Sequence, residues 1–297
     1  MIYYNNNTFV FLDGKFVKAS EAKTDLFAQT LHYGCGVFEG LRAYHAEKGG
    51  SIFRAKDHFE RFISSAEKLH MKVNYSVSEL EAIAYQLMTL NGLKDAYIRP
   101  LAYSGANMRL LPAEDTHVFM GAWRWERYLG DKLLKVVVSP YEKPNPKSCI
   151  VEAKVVGQYV NSILASKDAK NRGYDEALLL DMNGNVAQAP GANFFFEKDG
   201  VLYTPPKGHI LPGITRDTMF GLAKELGYKI KEEHFDPDVL MEADSAFFTG
   251  TAVEVAGIRS INGIELKGKW QDSMGYNLNL VYRQKVKFND YQGLTIV

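Results

Sequence analysis

The chain has 297 residues, 46% hydrophobic and 24% charged, which is typical of soluble globular proteins and allows one large or two ordinary domains. Its 35 basic residues balance 35 acidic ones, which excludes a global field that would recruit nucleic acid or an anionic membrane. Two cysteines exclude a disulfide framework or a cysteine-built metal cluster, and no apolar run approaches the ~20 residues that span a bilayer.

The N-terminal sequence indicates a cytoplasmic location and predicts a first β-hairpin. Residues 1–7 lack a basic stretch followed by an apolar core, so no signal peptide is expected. Phe9 and Phe11 precede Asp13-Gly14, and Phe16 follows, a pattern that predicts two strands joined by a tight turn.

A glycine-rich segment follows at residues 31–44. Gly34, Gly36 and Gly40 would weaken an ordinary strand, so they indicate that the backbone here approaches another element closely. A glycine-rich strand packed on a neighbouring sheet is the alternative interpretation.

Two helices and a strand are expected next. Apolar residues recur at helical spacing over 57–71, with Arg61 off the apolar stripe. In the second helix Ser78 and Glu81 are expected to form a capping box, and Gly92 ends the helix. Residues 97–101 are expected to form a strand.

The remaining pattern predicts a second, larger domain. We expect a small α/β domain over 1–128, a linker over 129–134 and the larger domain over 135–297. In the latter, turns at Asn183-Gly184, Asp199-Gly200 and Asn262-Gly263 separate successive strands. This succession predicts a barrel-like or strongly twisted sheet, and not a doubly wound one.

Lys154 is the residue whose surroundings suggest chemistry. It lies among Val151, Ala153, Val155 and Val156. Apolar surroundings remove hydration from an ammonium group, which lowers its pKa and makes a free amine accessible. Such an amine can form a Schiff base with a carbonyl, including the aldehyde of pyridoxal phosphate. A solvated surface lysine is the alternative interpretation.

Two later stretches are candidate anion sites. Leu211-Pro212-Gly213-Ile214-Thr215 leads into a predicted amphipathic helix, where free amides and a hydroxyl can hold a phosphate. An ordinary threonine N-cap is the alternative. Residues 247–252 predict a strand that ends in Gly-Thr-Ala, whose amides and hydroxyl could also bind anions.

Taken together, these segments resemble a known family. Ala153-Lys154, Gly157, Tyr159, the later Gly-Ala-Asn, Leu-Pro-Gly-Ile-Thr-Arg-Asp and Gly-Thr-Ala are similar to the fold-type IV pyridoxal-phosphate enzymes, and most similar to the branched-chain amino acid aminotransferases. The resemblance covers nearly the whole chain. It implies an α+β fold of two domains, a small α/β domain and a larger barrel-like mixed domain, with pyridoxal 5′-phosphate as cofactor. The predicted reaction is transamination of L-leucine, L-isoleucine and L-valine with 2-oxoglutarate.

The resemblance also implies site residues, and none of them is a metal ligand. Lys154 is the implied catalytic residue. The implied cofactor-binding residues are Arg61, Lys154, Tyr159, Gln188, Leu211, Ile214, Thr215 and Thr251. The implied substrate-binding residues are Tyr33, Phe38, Gly40, Arg99, Trp125, Tyr128, Gly250, Thr251 and Ala252.

The sequence departs from the family pattern at two places. Residues 106–112 replace a more glycine-rich loop. Gln188 stands where the family has a glutamate that faces the pyridine nitrogen, and a neutral amide lacks that charge. A slower aminotransferase, a related enzyme that needs a weaker electron sink and a non-catalytic cofactor-binding protein are the interpretations of this change.

Other functions remain open at this point. A D-amino acid aminotransferase and an aminodeoxychorismate lyase share the fold, and a phospholigand-binding module without the cofactor would belong to another class. The resemblance implies a homodimer at least, with small amino and 2-oxo acids as substrates.

Overall fold

The computed structural model describes residues 3–46, 49–125 and 128–288. The chain forms two compact units. The first comprises Met1–Trp125, Ala153–Gly157 and Lys285–Val297, and the second comprises Glu126–Glu152 and Gln158–Gln284. Within the three described ranges, no helix combines the length and the apolar character needed to cross a bilayer.

The first unit is built on one antiparallel sheet. Its strands are β1 (Phe9–Leu12), β2 (Lys15–Lys18), β3 (Gly36–Phe38), β4 (Leu41–Ala46), β5 (Gly49–Ile52), β6 (Ala96–Ser104) and β7 (Thr116–Trp123). Its helices are α1 (Gln29–Tyr33), α2 (Ala55–Glu67) and α3 (Val77–Leu90). The strand order is β2-β1-β7-β6-β4-β5, and β3 pairs with β6 beside β4.

The hairpin prediction is confirmed. Phe11 pairs with Phe16 and Leu12 with Lys15, so Asp13 and Gly14 form a two-residue turn. Their φ values of 44° and 85° lie in the left-handed region that this turn type requires.

Helices α2 and α3 pack on each other and cover the sheet. Their buried apolar faces include Phe59, Phe62, Leu80 and Leu87, which join the sheet residues in one core. The predicted helix over 57–71 is found, but it runs over Ala55–Glu67.

The predicted capping box at Ser78 and Glu81 is wrong. Ser76 caps α3 instead, because its backbone is extended and its hydroxyl accepts a hydrogen bond from the Glu79 amide. The Glu79 side chain in turn accepts from the Ser76 amide at 2.7 Å. The motif therefore lies one half-turn earlier than the pattern suggested.

The glycine-rich segment makes the close approaches predicted for it. A Cβ atom on Gly34 would lie 2.7 Å from the Gly157 Cα, and one on Gly36 would lie 3.0 Å from the Ala102 carbonyl oxygen. The Gly157 amide donates to the Gly34 carbonyl at 3.1 Å. Residues 153–157 therefore lie against β3, where Val155 also forms a bridge to Val37.

The second unit contains a larger mixed sheet. Its strands are β8 (Leu134–Val138), β9 (Glu176–Leu180), β10 (Val186–Ala189), β11 (Ala192–Lys198), β12 (Val201–Thr204), β13 (Ile230–Glu232), β14 (Ser245–Gly250), β15 (Glu254–Ile261) and β16 (Ile264–Glu265). The helices are α4 (Tyr159–Asn171), α5 (Ile214–Glu225) and α6 (Met274–Phe288), which begins in this unit.

Six strands of this sheet close into a ring. The order is β10-β9-β8-β15-β14-β11, and β10 pairs with β11 as well, which closes the path. Phe194, Phe196 and Phe248 lie in a core that draws residues from all six strands. Phe195 and Phe247 stack at 5.1 Å in a separate ring pair, and Phe220 of α5 packs on the Phe195 ring. The prediction of a barrel-like sheet is confirmed.

Candidate active site

Lys154 is held by backbone contacts along β3. Its carbonyl accepts a hydrogen bond from the Phe38 amide at 3.1 Å. Its own amide donates to the Ser65 hydroxyl of α2 at 3.4 Å. The Lys154 Nζ lies 4.7 Å from the centroid of the Phe38 ring. The amine is thus fixed over an aromatic face, inside the first unit.

The charge state of Lys154 is shifted toward the free amine. Burial lowers the pKa of its ammonium group to about 8, the Glu39 carboxylate opposes this, and the Arg61 guanidinium adds to it. Tyr97 raises and Arg99 lowers the same pKa to smaller extents. A sizeable fraction of Lys154 is therefore neutral in mildly alkaline solution.

Glu39 is a buried carboxylate between β3 and β4, and sequence reasoning did not single it out. It accepts hydrogen bonds from Arg61 Nε at 2.6 Å and Arg61 Nη2 at 2.9 Å. His58 Nδ1 lies 2.9 Å from its second oxygen. Burial alone would raise the pKa of Glu39, but the Arg61 charge and the bonds from His58 and Arg61 hold that pKa well below its usual range.

His58 and Arg61 project from the same face of α2, since they are three residues apart. Burial lowers the pKa of His58, although Glu39 partly opposes this effect. A carboxylate only accepts hydrogen bonds, so the neutral His58 ring carries its proton on Nδ1. The predicted phosphate ligand Arg61 is therefore already engaged by a carboxylate.

Predicted substrate residues of the first unit cluster around Tyr97, another residue that the sequence analysis did not single out. Arg99 Nη2 donates to the Tyr97 hydroxyl at 3.1 Å, and the Arg99 Cζ lies 4.7 Å from the Phe38 ring centroid. The Trp125 ring meets the Tyr97 ring edge-on at 4.6 Å. Tyr97 and Arg99 share one face of β6 because they are two residues apart.

Two buried features distinguish this cluster. A Cβ atom on Gly40 would lie 1.9 Å from the Tyr97 hydroxyl oxygen, so only glycine fits there without displacing the ring. The Arg99 Nε is buried and has no hydrogen-bond partner in the described part of the chain. An unpaired guanidinium N–H suits a carboxylate ligand.

Tyr33 and Tyr128 are the more exposed of the predicted substrate residues. The Tyr33 side chain is 48% exposed, and its hydroxyl donates to the Met108 carbonyl at 3.3 Å. Tyr128 belongs to the second unit, is 50% exposed and donates its amide to the Ala252 carbonyl at 3.1 Å.

Gln188 is buried in the second unit, and both ends of its amide are bonded. Its Oε1 accepts from the Leu211 amide at 2.8 Å, and its Nε2 donates to the Ala189 carbonyl at 3.0 Å. Asn193 holds the other side of Leu211, because its Nδ2 donates to the Leu211 carbonyl at 2.9 Å. The predicted cofactor residues Gln188 and Leu211 are thus in direct contact.

The first turn of α5 has no side-chain cap. Gly213 is the N-cap residue, and a Cβ atom there would lie 2.0 Å from Asn193 Oδ1. Ile214 and Thr215 are the first two helical residues, and both are buried. Thr215 is therefore not the N-cap, and it lies in the first turn of a 12-residue helix.

The end of β14 brings Gly250 next to the start of β11, and Thr251 and Ala252 follow it in the chain. A Cβ atom on Gly250 would lie 3.2 Å from the Gly191 carbonyl oxygen and 3.6 Å from the Ala192 Cα. Thr249 pairs with Asn193, and its buried hydroxyl has no partner among the residues that the structure describes. Backbone and hydroxyl groups therefore concentrate at this strand end.

Tyr159, the remaining predicted cofactor residue, is the first residue of α4 and is partly buried. No group of three or more His, Cys, Asp or Glu side chains in the described ranges could hold a metal ion.

Sequence reasoning missed Glu39, His58 and Tyr97, and Glu39 contacts partners 19 and 22 residues away. Glu39 lies between the predicted site residues Phe38 and Gly40, and His58 lies three residues before the predicted site residue Arg61. Glu39 pairs with Arg61 across 22 residues, so the sequence around it carries no local signal of the pair. Tyr97 could have been found as the alternate-position neighbour of Arg99.

Comparisons with known proteins identify the class. The model of the family "Amino-transferase class IV" matches residues 36–261. A branched-chain-amino-acid aminotransferase of Pseudomonas aeruginosa is 41% identical over 260 residues, which covers 86% of this chain and 85% of that protein.

Solved structures agree in fold. The branched-chain aminotransferase of Thermoproteus uzoniensis with norvaline has a TM-score of 0.90 at 37% identity and covers 94% of both chains. The branched-chain amino acid aminotransferase of Thermobaculum terrenum in its PLP-form has a TM-score of 0.89 at 32% identity, covering 95% of this chain and 94% of that one.

The fold and these similarities thus define an aminotransferase of fold-type IV, and the predicted fold class is confirmed. The chain belongs to the class IV aminotransferase family.

Proposed function

We propose that this protein is a pyridoxal-phosphate-dependent transaminase of L-leucine, L-isoleucine and L-valine, with 2-oxoglutarate as the amino acceptor. The observation that carries the proposal is Lys154, an amine fixed over Phe38 with a pKa of about 8, in a chain similar throughout to branched-chain aminotransferases. The comparisons do not favour a D-amino acid aminotransferase or an aminodeoxychorismate lyase.

The residues present fit the cofactor. Lys154 supplies an amine that is neutral often enough to condense with an aldehyde. Gly213 at the start of α5 has no side-chain cap, and the start of a helix of this length suits a phosphate. Bound pyridoxal phosphate would supply the aldehyde and an electron-withdrawing ring.

Each predicted site residue has a place in this proposal. Lys154 would bind the cofactor covalently, Tyr159 would bond its phenolic oxygen, Gln188 would face its ring nitrogen and Leu211 would pack on its ring. Phosphate binding falls to Arg61, Ile214, Thr215 and Thr251. The substrate is bound by Tyr33, Phe38, Gly40, Arg99, Trp125, Tyr128, Gly250, Thr251 and Ala252. We add Tyr97, whose hydroxyl bonds Arg99.

The chain's own groups then account for the proton transfer and for substrate binding. Lys154 Nζ in its neutral form removes the proton from the substrate α-carbon, and a base with a pKa near the working pH does this efficiently. Arg99 offers its unpaired Nε to a substrate carboxylate. The Phe38 and Trp125 rings give the aliphatic side chain an apolar surface.

The experiment that tests the proposal is a titration of the cofactor-loaded protein with amino acids. L-leucine should convert the absorbance of the pyridoxal form into that of the pyridoxamine form, and 2-oxoglutarate should reverse the change. Lys154→Ala should lose this conversion and also the adduct trapped by borohydride, whereas Lys170→Ala, at an exposed position of α4, should keep both.

If D-alanine converts the pyridoxal form and none of the three branched L-amino acids does, the proposed substrate class is wrong. A borohydride-trapped adduct that survives in Lys154→Ala would mean that another lysine holds the cofactor.

The proposal includes a homodimer and a cytoplasmic location. Leu26, Phe27, Leu31, Met108, Leu110 and Leu111 form an exposed apolar patch on the first unit, which we call the 26–111 patch. A second copy would remove this surface from water. Cys35 and Cys149 are free thiols, which suits a reducing compartment, and cell fractionation tests that location.

A further inference from the structure

Glu39 is the most deeply buried ionised group beside the proposed chemistry, and no role in the reaction has yet been given to it. We propose that Glu39 is a positioning residue, whose carboxylate fixes the Arg61 guanidinium and offsets its charge at Lys154. The inference rests on the proposed function only where cofactor affinity is concerned.

The geometry leaves the Arg61 guanidinium one orientation. Arg61 Nε and Nη2 each donate to a different Glu39 oxygen, at 2.6 and 2.9 Å, so the planar fork meets the carboxylate edge to edge. The Glu39 side chain is 0% exposed, and the Arg61 side chain is 15% exposed. An ion pair this buried gives a fixed direction to the guanidinium, which a solvated arginine would not have.

The carboxylate itself is held from two further directions. The Gly40 amide donates to Glu39 Oε2 at 3.2 Å, and His58 Nδ1 lies 2.9 Å from the same atom. Because His58 is neutral, it orients the carboxylate without adding charge to it. Glu39 therefore cannot turn away from Arg61 without breaking buried hydrogen bonds.

Charge balance is the second part of the argument. Glu39 and Tyr97 favour the charged form of Lys154, whereas Arg61 and Arg99 oppose it. The paired charges of Glu39 and Arg61 sum to zero, so the pair leaves Lys154 governed mainly by burial. Without Glu39, the positive charge of Arg61 would lower the pKa of Lys154 further.

The first measurement follows the protonation of Lys154 in the cofactor-free protein. Lysines labelled with ¹³C at Cε are titrated by NMR, and the Lys154 signal is assigned by its loss in Lys154→Arg. In Glu39→Gln the Arg61 charge is uncompensated, so the titration midpoint should fall below about 8, the wild-type pKa. In the double variant Glu39→Gln/Arg61→Gln the midpoint should return toward it.

Glu176→Gln is the matched control, since Glu176 is a buried carboxylate of the second unit that bonds only Ser166 and its neighbour's amide in the described chain. It should leave the midpoint unchanged. An unchanged midpoint in folded Glu39→Gln, or no recovery in the double variant, overturns the charge-offset role.

The second measurement is the affinity of the same proteins for pyridoxal phosphate. Glu39→Gln should weaken it roughly tenfold, by analogy with the outer partners of metal ligands. Glu39→Asp keeps the charge but has a shorter side chain, so it should weaken cofactor binding with little change in the Lys154 midpoint. It also serves as the test if Glu39→Gln does not fold.

The two measurements separate the two proposals. Failure of the wild-type protein to bind pyridoxal phosphate contradicts the proposed function, while the Lys154 titration still decides the charge offset. Equal affinities in wild type, Glu39→Gln and Glu39→Asp overturn the orienting role of Glu39.

Discussion

Gln188 differs from the expected glutamate in a way that its own contacts explain. The Leu211 amide requires an acceptor and the Ala189 carbonyl requires a donor, and one neutral amide satisfies both. A carboxylate at this position would satisfy Leu211 only, and its second oxygen would face the Ala189 carbonyl. The amide therefore suits the cofactor-free fold better than a glutamate would.

Gln188→Glu should then act in opposite directions on stability and on rate. We expect the cofactor-free protein to lose about 1–3 kcal/mol, because a buried hydrogen bond is replaced by an unpaired oxygen. We expect the first half-reaction to become faster, because a carboxylate stabilises a protonated ring better than an amide does. Urea denaturation and single-turnover absorbance measure the two effects.

Gln158→Glu is the control for the stability effect. Gln158 also donates its Nε2 to a backbone carbonyl, that of Ile150, at 3.0 Å, but in an exposed setting where water replaces the bond. Gln158→Glu should therefore lower the free energy of unfolding only slightly. An unchanged or slower half-reaction in Gln188→Glu would refute the role assigned to the residue in ring electronics.

At the scale of elements, the contact of Gly34 with Gly157 fixes residues 153–157 to β3. Gly34 has φ +70°, and its neighbour across the contact is backbone, which cannot move aside as a side chain can. The peptide carrying Lys154 is thereby held by hydrogen bonds at both of its ends, to Gly34 and to Phe38.

Gly34→Ala should therefore be more damaging than an ordinary glycine substitution. Gly92 provides the comparison, since it has φ +61° but open space around its Cβ position. Gly92→Ala should cost about 1 kcal/mol from left-handed strain alone, and Gly34→Ala about 1–3 kcal/mol more from overlap with Gly157. The urea midpoints of the two variants give the difference. Equal midpoints would mean that the backbone at Gly157 shifts at little cost to make room for the added methyl group.

These elements also show what the sequence can and cannot predict. The turn at Asp13-Gly14 was predictable, because a two-residue turn depends on its own residues. The cap of α3 was misplaced because Ser76 and Ser78 both precede a glutamate by three residues, and only the extended backbone at Ser76 distinguishes them. The lysine was found by resemblance, while the Glu39–Arg61 pair depends on folding across 22 residues and left no local signal.

At the scale of the whole molecule, the 26–111 patch is the surface that the proposed homodimer would bury. Its two segments are joined by a bridge between Ala28 and Ala106. The Gln29 Nε2 donates to the Arg109 carbonyl at 2.8 Å and to the Leu111 carbonyl at 2.7 Å, so a buried side chain shapes the loop. The leucines are thus presented on a defined surface, with Leu110 85% exposed.

Leu110→Glu should weaken self-association. Burial of a leucine contributes about 1.5–3 kcal/mol, so the dimer dissociation constant should rise at least about tenfold. Light scattering across a concentration series measures it against Met241→Glu, a matched exposed position in the second unit. A wild-type mass equal to the 33.4 kDa chain would contradict the homodimer outright.

The backbone pairing of β3 with residues 153–157 also has a consequence for biosynthesis. Residues 1–125 leave the ribosome while this edge of β3 still lacks the partner that bonds Phe38 and Val37. At 5–20 residues per second, the interval until residue 157 emerges is roughly 2–6 s. An open strand edge recruits other chains during such an interval. The segment that carries Lys154 is therefore also the one that covers this edge of β3.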